Sequence, residues 1–180
     1  FTLGAVYRSK TKMEWEGFVT LDLQPAGLGK QVTSFQVDLD MPGHLQVGLA
    51  YRFAENLTWT ADLQWTEWSD ANGLGSVLII ELDDPLLGFV NDLSVEYDAN
   101  DTLTWRTGLD YQFNNKWSVQ FGYAYDESIF DDEHVDILVY DSNRNILTTG
   151  LSYDSPKVNN SGWSATLGVQ IIIYESRTIE

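Results

Sequence analysis

Apolar and polar residues alternate almost without exception between residues 101 and 125, and this pattern constrains the fold more than any other feature of the chain. Period-two alternation places successive side chains on opposite faces of a β-strand. Two strands are therefore predicted here, joined by a short turn at Asn114, Asn115 and Lys116. One face of this hairpin is apolar and aromatic at its ends, whereas the other carries Arg106 and Asp110. A strand with lipid on one side and a watery lumen on the other has this pattern.

The same alternation recurs along the chain and predicts seven membrane-crossing strands in total. The other five are a long strand at 1–23, which exceeds one membrane crossing, and strands at 44–53, 57–69, 146–153 and 163–174. Long connections at 24–42, 70–100 and 126–143 alternate with short ones at 54–56, 114–116 and 154–162. Outer-membrane barrels have long extracellular loops and short periplasmic turns. Inside the long connections, 31–39 and 77–82 could form strands and 83–91 could form a helical turn.

Five charges in the membrane-crossing parts of the predicted strands lie at even positions, opposite the aromatic face: Arg8, Arg52, Asp62, Arg106 and Asp110. The alternation blurs at Glu67, near the end of the strand at 57–69. A charge that faces mid-bilayer lipid costs roughly 2 to 4 kcal/mol for Arg or Lys, which explains why one face carries these charges. Trp and Tyr residues flank both the short and the long connections, as interfacial girdles do. A soluble antiparallel sandwich also alternates and is the structural alternative. It would seldom place aromatic residues so consistently beside its turns.

Composition excludes several classes of function. The chain has no apolar run long enough for a membrane helix, and without cysteine it has neither disulfides nor thiolate metal sites. A net charge of −17 argues against nucleic acid as a partner. No hydrolase, zinc-protease or P-loop motif is present, so we expect neither an enzyme nor a cofactor. The acidic run at 131–136, with His134, offers carboxylate oxygens of the kind that calcium binds. Its spacing matches no calcium-binding loop motif, so we expect no metal there.

Five segments follow one another along the chain: GAVYRSKTKMEWEG, MPGHLQVGLAYRF, LTWTADLQWTEWSD, LTWRTGLDYQFNNKWSVQFGYAYDES and DSNRNILTTGLSY. In this order they resemble the FadL family of long-chain fatty acid transporters of the Gram-negative outer membrane, which also includes toluene and xylene channels. The resemblance implies an all-β, antiparallel transmembrane barrel of about fourteen strands with an N-terminal hatch in its lumen. Residues 1–180 would form one partial domain of it, about the seventh to thirteenth strands, without the hatch, the N-terminal half and the last strand.

The resemblance further implies passive uptake of long-chain fatty acids or similar hydrophobic molecules across the outer membrane, by a multi-pass barrel. Its partners would be the hydrophobic ligand, outer-membrane lipid and lipopolysaccharide, and the complete protein would be a monomer. Two alternatives stay open. One is a general porin-like or structural barrel without hydrophobic selectivity, and the other is a soluble acidic β-sandwich that acts as a binding module.

Ligands with an apolar tail and a carboxylate head need apolar walls and a cation at one end. The candidate cations on the predicted lumen face are Arg106, Arg52 and Arg8. The alternative for Arg52 and Arg106 is a structural one, in which they pair with Asp62 and Asp110 and hold the wall together.

Overall fold

A computed structural model describes residues 1–24, 29–73, 77–83, 93–96, 98–131, 141–156 and 162–177. These residues form strands in two separate sheets, each of which belongs to its own compact unit. No helix among them is long and apolar enough to cross a membrane. The strands are β1 (Thr2–Arg8), β2 (Glu14–Leu23), β3 (Gly29–Asp38), β4 (His44–Ala54), β5 (Leu57–Thr66), β6 (Val77–Asp83), β7 (Leu93–Glu96), β8 (Thr102–Gln112), β9 (Trp117–Asp126), β10 (Arg144–Asp154) and β11 (Ser164–Tyr174).

The larger sheet has seven strands in the order β1-β4-β5-β8-β9-β10-β11, and every neighbouring pair is antiparallel. All seven predicted crossings are present in it, so the all-β prediction with about seven long antiparallel strands is confirmed. In-register pairing keeps even residues opposite even residues along the sheet, apart from a shift after Arg52 where β4 enters its turn. The even face and the odd face therefore run continuously across all seven strands. We call them the polar face and the apolar face.

Short connections join the strand pairs where they were predicted. Between β8 and β9, the Asn114 side chain accepts hydrogen bonds from the backbone N–H of Lys116 at 2.9 Å and of Trp117 at 3.1 Å. Such a bond from a side chain to the backbone that follows it is the reason Asn favours tight turns. Between β10 and β11, the Ser155 N–H donates to the Trp163 carbonyl at 2.9 Å and closes the end of the hairpin.

The prediction of one long strand over 1–23 is wrong, because the structure divides this segment between two sheets. β1 ends at Arg8 and β2 begins at Glu14. In the interval, Thr11 forms an isolated antiparallel bridge with Met41, and Lys10 forms an ion pair with Asp70 at 2.8 Å. The hydrogen bond to Asp70 also raises the pKa of the Lys10 ammonium. Residues 9–12 are all polar, so they specify no buried face and are free to make these local contacts instead of continuing β1.

The smaller sheet has the order β2-β3-β6-β7 and combines the second half of the segment 1–23 with strands from the connections 24–42 and 70–100. The strands predicted at 31–39 and 77–82 are confirmed as parts of β3 and β6. The Phe35 ring covers Gly17, where an added Cβ would lie 2.7 Å from the ring. The helical turn predicted at 83–91 lies outside the described residues except for Asp83, which ends β6.

The described parts of the connection 126–143 fold against each other at its base. The Ser128 N–H donates to the Asn143 side chain at 2.9 Å, and the Ile129 N–H donates to Asp141 at 2.9 Å. Phe130 is buried there, and its carbonyl accepts a hydrogen bond from Arg177 at 2.6 Å. This base holds the ends of β9 and β10 together and so fixes the register of the polar face between them.

Glycines on the polar face allow close contact between strands, and one of them provides a test of the register. A Cβ added at Gly122 would lie 2.5 Å from Thr148 Oγ1, whereas one added at Gly4 would meet nothing within 4 Å. Because a β-branched Thr has few alternative rotamers, we expect Gly122→Ala to lower the free energy of unfolding by about 1 kcal/mol. Gly4→Ala should be neutral or slightly stabilising.

The complete protein is unfolded by urea in detergent, and the folded fraction at each urea concentration is measured by electrophoretic mobility. Equal unfolding midpoints for the two variants would contradict the register in which Gly122 lies opposite Thr148.

Candidate functional site

Large hydrophobic side chains cover the apolar face and are exposed. The exposed fraction is 55% for Phe121, 56% for Ile171 and 74% for Leu167, and many of the other large odd-numbered side chains are also exposed. A soluble sandwich buries the corresponding face of each sheet against the other. An apolar face of this extent instead marks a surface that contacts a membrane or another apolar partner.

Aromatic pairs lie at both ends of the apolar face. Beside the short connections, ring centroids are 4.7 Å apart for Trp117 and Tyr153 and 5.2 Å apart for Tyr153 and Trp163. Toward the long connections, Trp105 lies 5.0 Å from Tyr123 and 6.4 Å from Tyr125. Two such belts, one at each end of an apolar band, have the arrangement of interfacial girdles in outer-membrane barrels.

Three polar side chains on the apolar face, Trp59, Thr107 and Tyr123, have hydrogen-bond partners within the sheet. The Trp59 indole N–H donates to Thr107 Oγ1 at 2.8 Å, and this hydroxyl donates in turn to the Thr60 carbonyl at 3.2 Å. The Tyr123 hydroxyl donates to Asn145 Oδ1 at 2.6 Å. Hydrocarbon offers no hydrogen-bond partner, so internal pairing of this kind is what contact with lipid requires.

Arg106 is the centre of a hydrogen-bonded network on the polar face. Its Nη1 donates to Asp62 Oδ1 at 2.8 Å and its Nη2 to Gln64 Oε1 at 3.0 Å. Gln46 Nε2 donates to the same Asp62 oxygen at 3.0 Å, and Gln64 Nε2 donates to Thr66 Oγ1 at 3.2 Å. The network joins β4, β5 and β8, so the predicted structural pairing of Arg106 with Asp62 is present.

Arg52 and Arg8 are exposed on the same face and differ from Arg106 in their partners. Among the ion pairs of the described residues, none includes Arg52 or Arg8. Asp110, the other predicted partner, instead accepts a hydrogen bond from Gln120 Nε2 at 2.9 Å. The predicted cations therefore fall into two groups, of which Arg106 is compensated by a carboxylate and the other two are not.

The register places the three arginines at three heights on the polar face. The Arg106 level consists of residues that are paired in register across β4 to β11: Gly48, Asp62, Arg106, Ala124, Ile146 and Ile172. Arg52 lies four residues from Gly48 toward the short connections. Arg8 lies four residues from Gly4, the partner of Gly48, toward the long ones. Four residues of strand correspond to about 13 Å, so the cations are spaced along the direction in which a lumen would run.

The ion pair at the ends of β9 and β10 was not predicted from the sequence, and neither was that of Lys10 with Asp70. Arg144 at the start of β10 pairs with Asp126 at the end of β9, and Thr104 Oγ1 donates to the other Asp126 oxygen at 2.6 Å. The two charges share the even parity, which could have indicated their common face. Their pairing depends on the register of β9 against β10, and parity does not specify a register.

A metal site is not formed by the described residues, among which no group of three potential ligands is close enough to hold an ion. Of the acidic run at 131–136, only Asp131 belongs to the described residues.

The family described as outer membrane protein transport protein (OMPP1/FadL/TodX) matches residues 1–161 of the chain. Among solved structures, a FadL homologue of Pseudomonas aeruginosa is similar with a TM-score of 0.81 at 21% identity, over 96% of this chain and 40% of that one. The toluene transporter TodX of Pseudomonas putida has a TM-score of 0.54 at 18% identity, over 94% and 43%. The monoaromatic hydrocarbon channel CymD has a TM-score of 0.55 at 18% identity, over 94% and 44%.

No curated protein sequence matches the chain. The chain spans 40% to 44% of the length of these solved structures. At identities of 18% to 21%, the similarity establishes the fold, which is that of a partial outer-membrane barrel.

Lipid contact on one face predicts different costs for the same substitution at neighbouring residues of β11. Ile171 lies on the apolar face and Gln170 on the polar face. We expect Ile171→Arg to destabilise the complete protein in bilayers by roughly 2 to 4 kcal/mol, because lipid cannot solvate the guanidinium. Gln170→Arg should cost less than about 1 kcal/mol, since a lumen holds water.

The folded fraction after refolding into phosphatidylcholine vesicles over a urea series measures both variants. If Gln170→Arg proved the more costly substitution, the assignment of the two faces would be reversed.

Proposed function

Because the chain belongs to the outer membrane transport protein family (OMPP1/FadL/TodX), we propose that its seven-stranded sheet is part of the wall of a channel for hydrophobic molecules. The protein is located in the outer membrane, which these strands cross, and the family comprises transport channels rather than enzymes. We propose long-chain fatty acids or similar compounds as the substrates, taken up by passive diffusion. The rest of the barrel and its hatch would come from parts of the protein outside these 180 residues, because the solved relatives are more than twice as long.

The observation that carries this proposal is the separation of the two faces. An exposed apolar face between aromatic belts suits lipid, and a continuous polar face with charged side chains suits a lumen. We expect the complete protein to be a monomer, with lipid and lipopolysaccharide against the apolar face.

Uncompensated cations on the polar face support a ligand that carries an anionic head. Arg52 and Arg8 have no ion-pair partner among the described residues, so their positive charge is available to a carboxylate. We propose that Arg8 and Arg52 contact the carboxylate at two heights, Arg8 toward the long connections and Arg52 toward the short ones. Arg106 is less suited to this role, because Asp62 already balances its charge.

A monoaromatic hydrocarbon is the second candidate substrate, since TodX is a toluene transporter and CymD a monoaromatic hydrocarbon channel. Such a molecule has no charge, so it cannot form an ion pair with Arg52 and would gain at most a cation–π contact. A general porin, the third possibility, would show no saturable binding of any hydrophobic ligand. The dependence of fatty acid binding on Arg52 therefore separates the three.

We expect Arg52→Gln to weaken binding of a fluorescent long-chain fatty acid to the complete protein by about tenfold, or about 1.4 kcal/mol. The difference from wild type should shrink at high salt, because an exposed charge is screened. Binding is measured by fluorescence titration in detergent at low and high salt.

Lys116→Gln is the matched control, because it removes one positive charge from the turn between β8 and β9 and leaves the polar face intact. Saturable binding that Arg52→Gln leaves unchanged would refute the role of Arg52. If the wild type showed no saturable binding of the fatty acid, the proposal that the protein transports such hydrophobic molecules would be refuted.

A further inference from the structure

The Arg106 level combines a positioned cation with an apolar strip. Ala124 on β9, Ile146 on β10 and Ile172 on β11 follow Arg106 in the register, and all three lie on the polar face. Ile172 is 42% exposed and the other two are half-buried. From β8 to β11 the level extends over about 14 Å, three inter-strand distances. Apolar residues on this face serve no contact with lipid, so an apolar ligand on the inner side of the wall would suit them.

Hydrogen bonds at one end of the strip hold the Arg106 guanidinium in place. Two of its N–H groups bind Asp62 and Gln64, and Gln46 fixes the Asp62 carboxylate from the neighbouring strand. A guanidinium has five N–H donors, which leaves others for a ligand. The Asp62 carboxylate cancels the formal charge. Arg106 therefore offers oriented hydrogen-bond donors without an uncompensated positive charge.

We propose that Arg106 and the strip of Ala124, Ile146 and Ile172 form a subsite for uncharged amphiphiles, such as long-chain alcohols. The oxygen of the head accepts a hydrogen bond from Arg106, and the hydrocarbon tail lies across β9, β10 and β11. This subsite deepens the proposed uptake of hydrophobic molecules, on which it rests, by adding a class of substrate that the uncompensated arginines do not select.

The charge balance between Arg106 and Asp62 is the reason that we propose a ligand with an uncharged head group. A carboxylate at Arg106 would lie beside the Asp62 carboxylate and leave a net negative charge next to apolar residues, which is unfavourable. A hydroxyl accepts the same hydrogen bond and adds no charge. Asp62 and Gln64 act here as positioning residues, since they contact Arg106 and not the ligand.

Radiolabelled dodecanol and dodecanoate are suitable probes for the complete protein in detergent, at about pH 8, where the carboxylate is ionised. We expect Ile172→Thr to weaken dodecanol binding about fivefold, because a hydroxyl replaces hydrocarbon against the tail. Gln170→Thr is the matched control on the same face of β11, one register level away, and should change the affinity less than about twofold. Arg106→Gln should weaken dodecanol binding as Ile172→Thr does.

Asp62→Asn tests the charge balance with an isosteric change. Without the carboxylate the Arg106 charge is uncompensated, so we expect dodecanoate binding to strengthen about tenfold while dodecanol binding changes less than about twofold. Asp110→Asn is the matched control, because it removes a carboxylate that has no arginine partner among the described ion pairs. Each variant is first shown to fold by its electrophoretic mobility. If Asp62→Asn fails to fold, Ile172→Thr and Arg106→Gln still decide the outcome.

Dodecanol binding that is insensitive to both Ile172→Thr and Arg106→Gln would overturn the subsite. An unchanged dodecanoate affinity in folded Asp62→Asn would overturn the charge balance. If Ile172→Thr lowered only the stability, the strip would contact another part of the chain and the proposal would be wrong. If the subsite fails but fatty acid binding depends on Arg52, the proposed function stands. If the wild-type protein shows no saturable binding of fatty acid or of dodecanol, both the proposed function and the subsite are refuted.

Discussion

Hydrocarbon solvates neither charges nor unpaired polar groups, and the seven-stranded sheet follows from this constraint. Charged residues in the crossing strands lie at even positions, and the large hydrophobic residues at odd positions stay exposed. The polar atoms of Trp59, Thr107 and Tyr123 on the apolar face find partners within the sheet.

The polar face is free of that constraint, so its charged side chains can be either ion-paired or unpaired. Arg106 is compensated by Asp62 and held by Gln64, whereas Arg52 and Arg8 have no ion-pair partner among the described residues. A compensated guanidinium presents hydrogen-bond donors, and an uncompensated one presents charge. The two proposed sites, for a carboxylate and for an uncharged head group, would therefore lie at different heights of one wall.

Alternation predicted the seven crossings and the short turns because both depend on local sequence. Asn114 forms its turn through its own side chain, and each crossing needs only period-two hydrophobicity. The first strand was mispredicted because alternation says nothing about the partner of a strand. Thr2–Arg8 pairs with β4, whereas Thr11 pairs with Met41. From the sequence alone, the polar interval 9–12 fits a continuous strand as well as it fits a break.

The sequence by itself determined the parity of every crossing, and with it which side chains face lipid and which face the lumen, because successive residues of a strand must point in opposite directions. Only the tertiary structure decided which charges meet. Asp62 could pair with Arg52 or with Arg106 by parity, and the registers of β5 against β4 and β8 place it opposite Gly48 and Arg106. The pairing of β4 with β5 leaves Arg52 opposite Thr58, and the registers from β8 to β11 bring Ala124, Ile146 and Ile172 into line with Arg106. The register of β5 against β8 arises from backbone pairing across a long connection, so no local pattern contains it, whereas a short turn sets the register within a hairpin such as β4–β5.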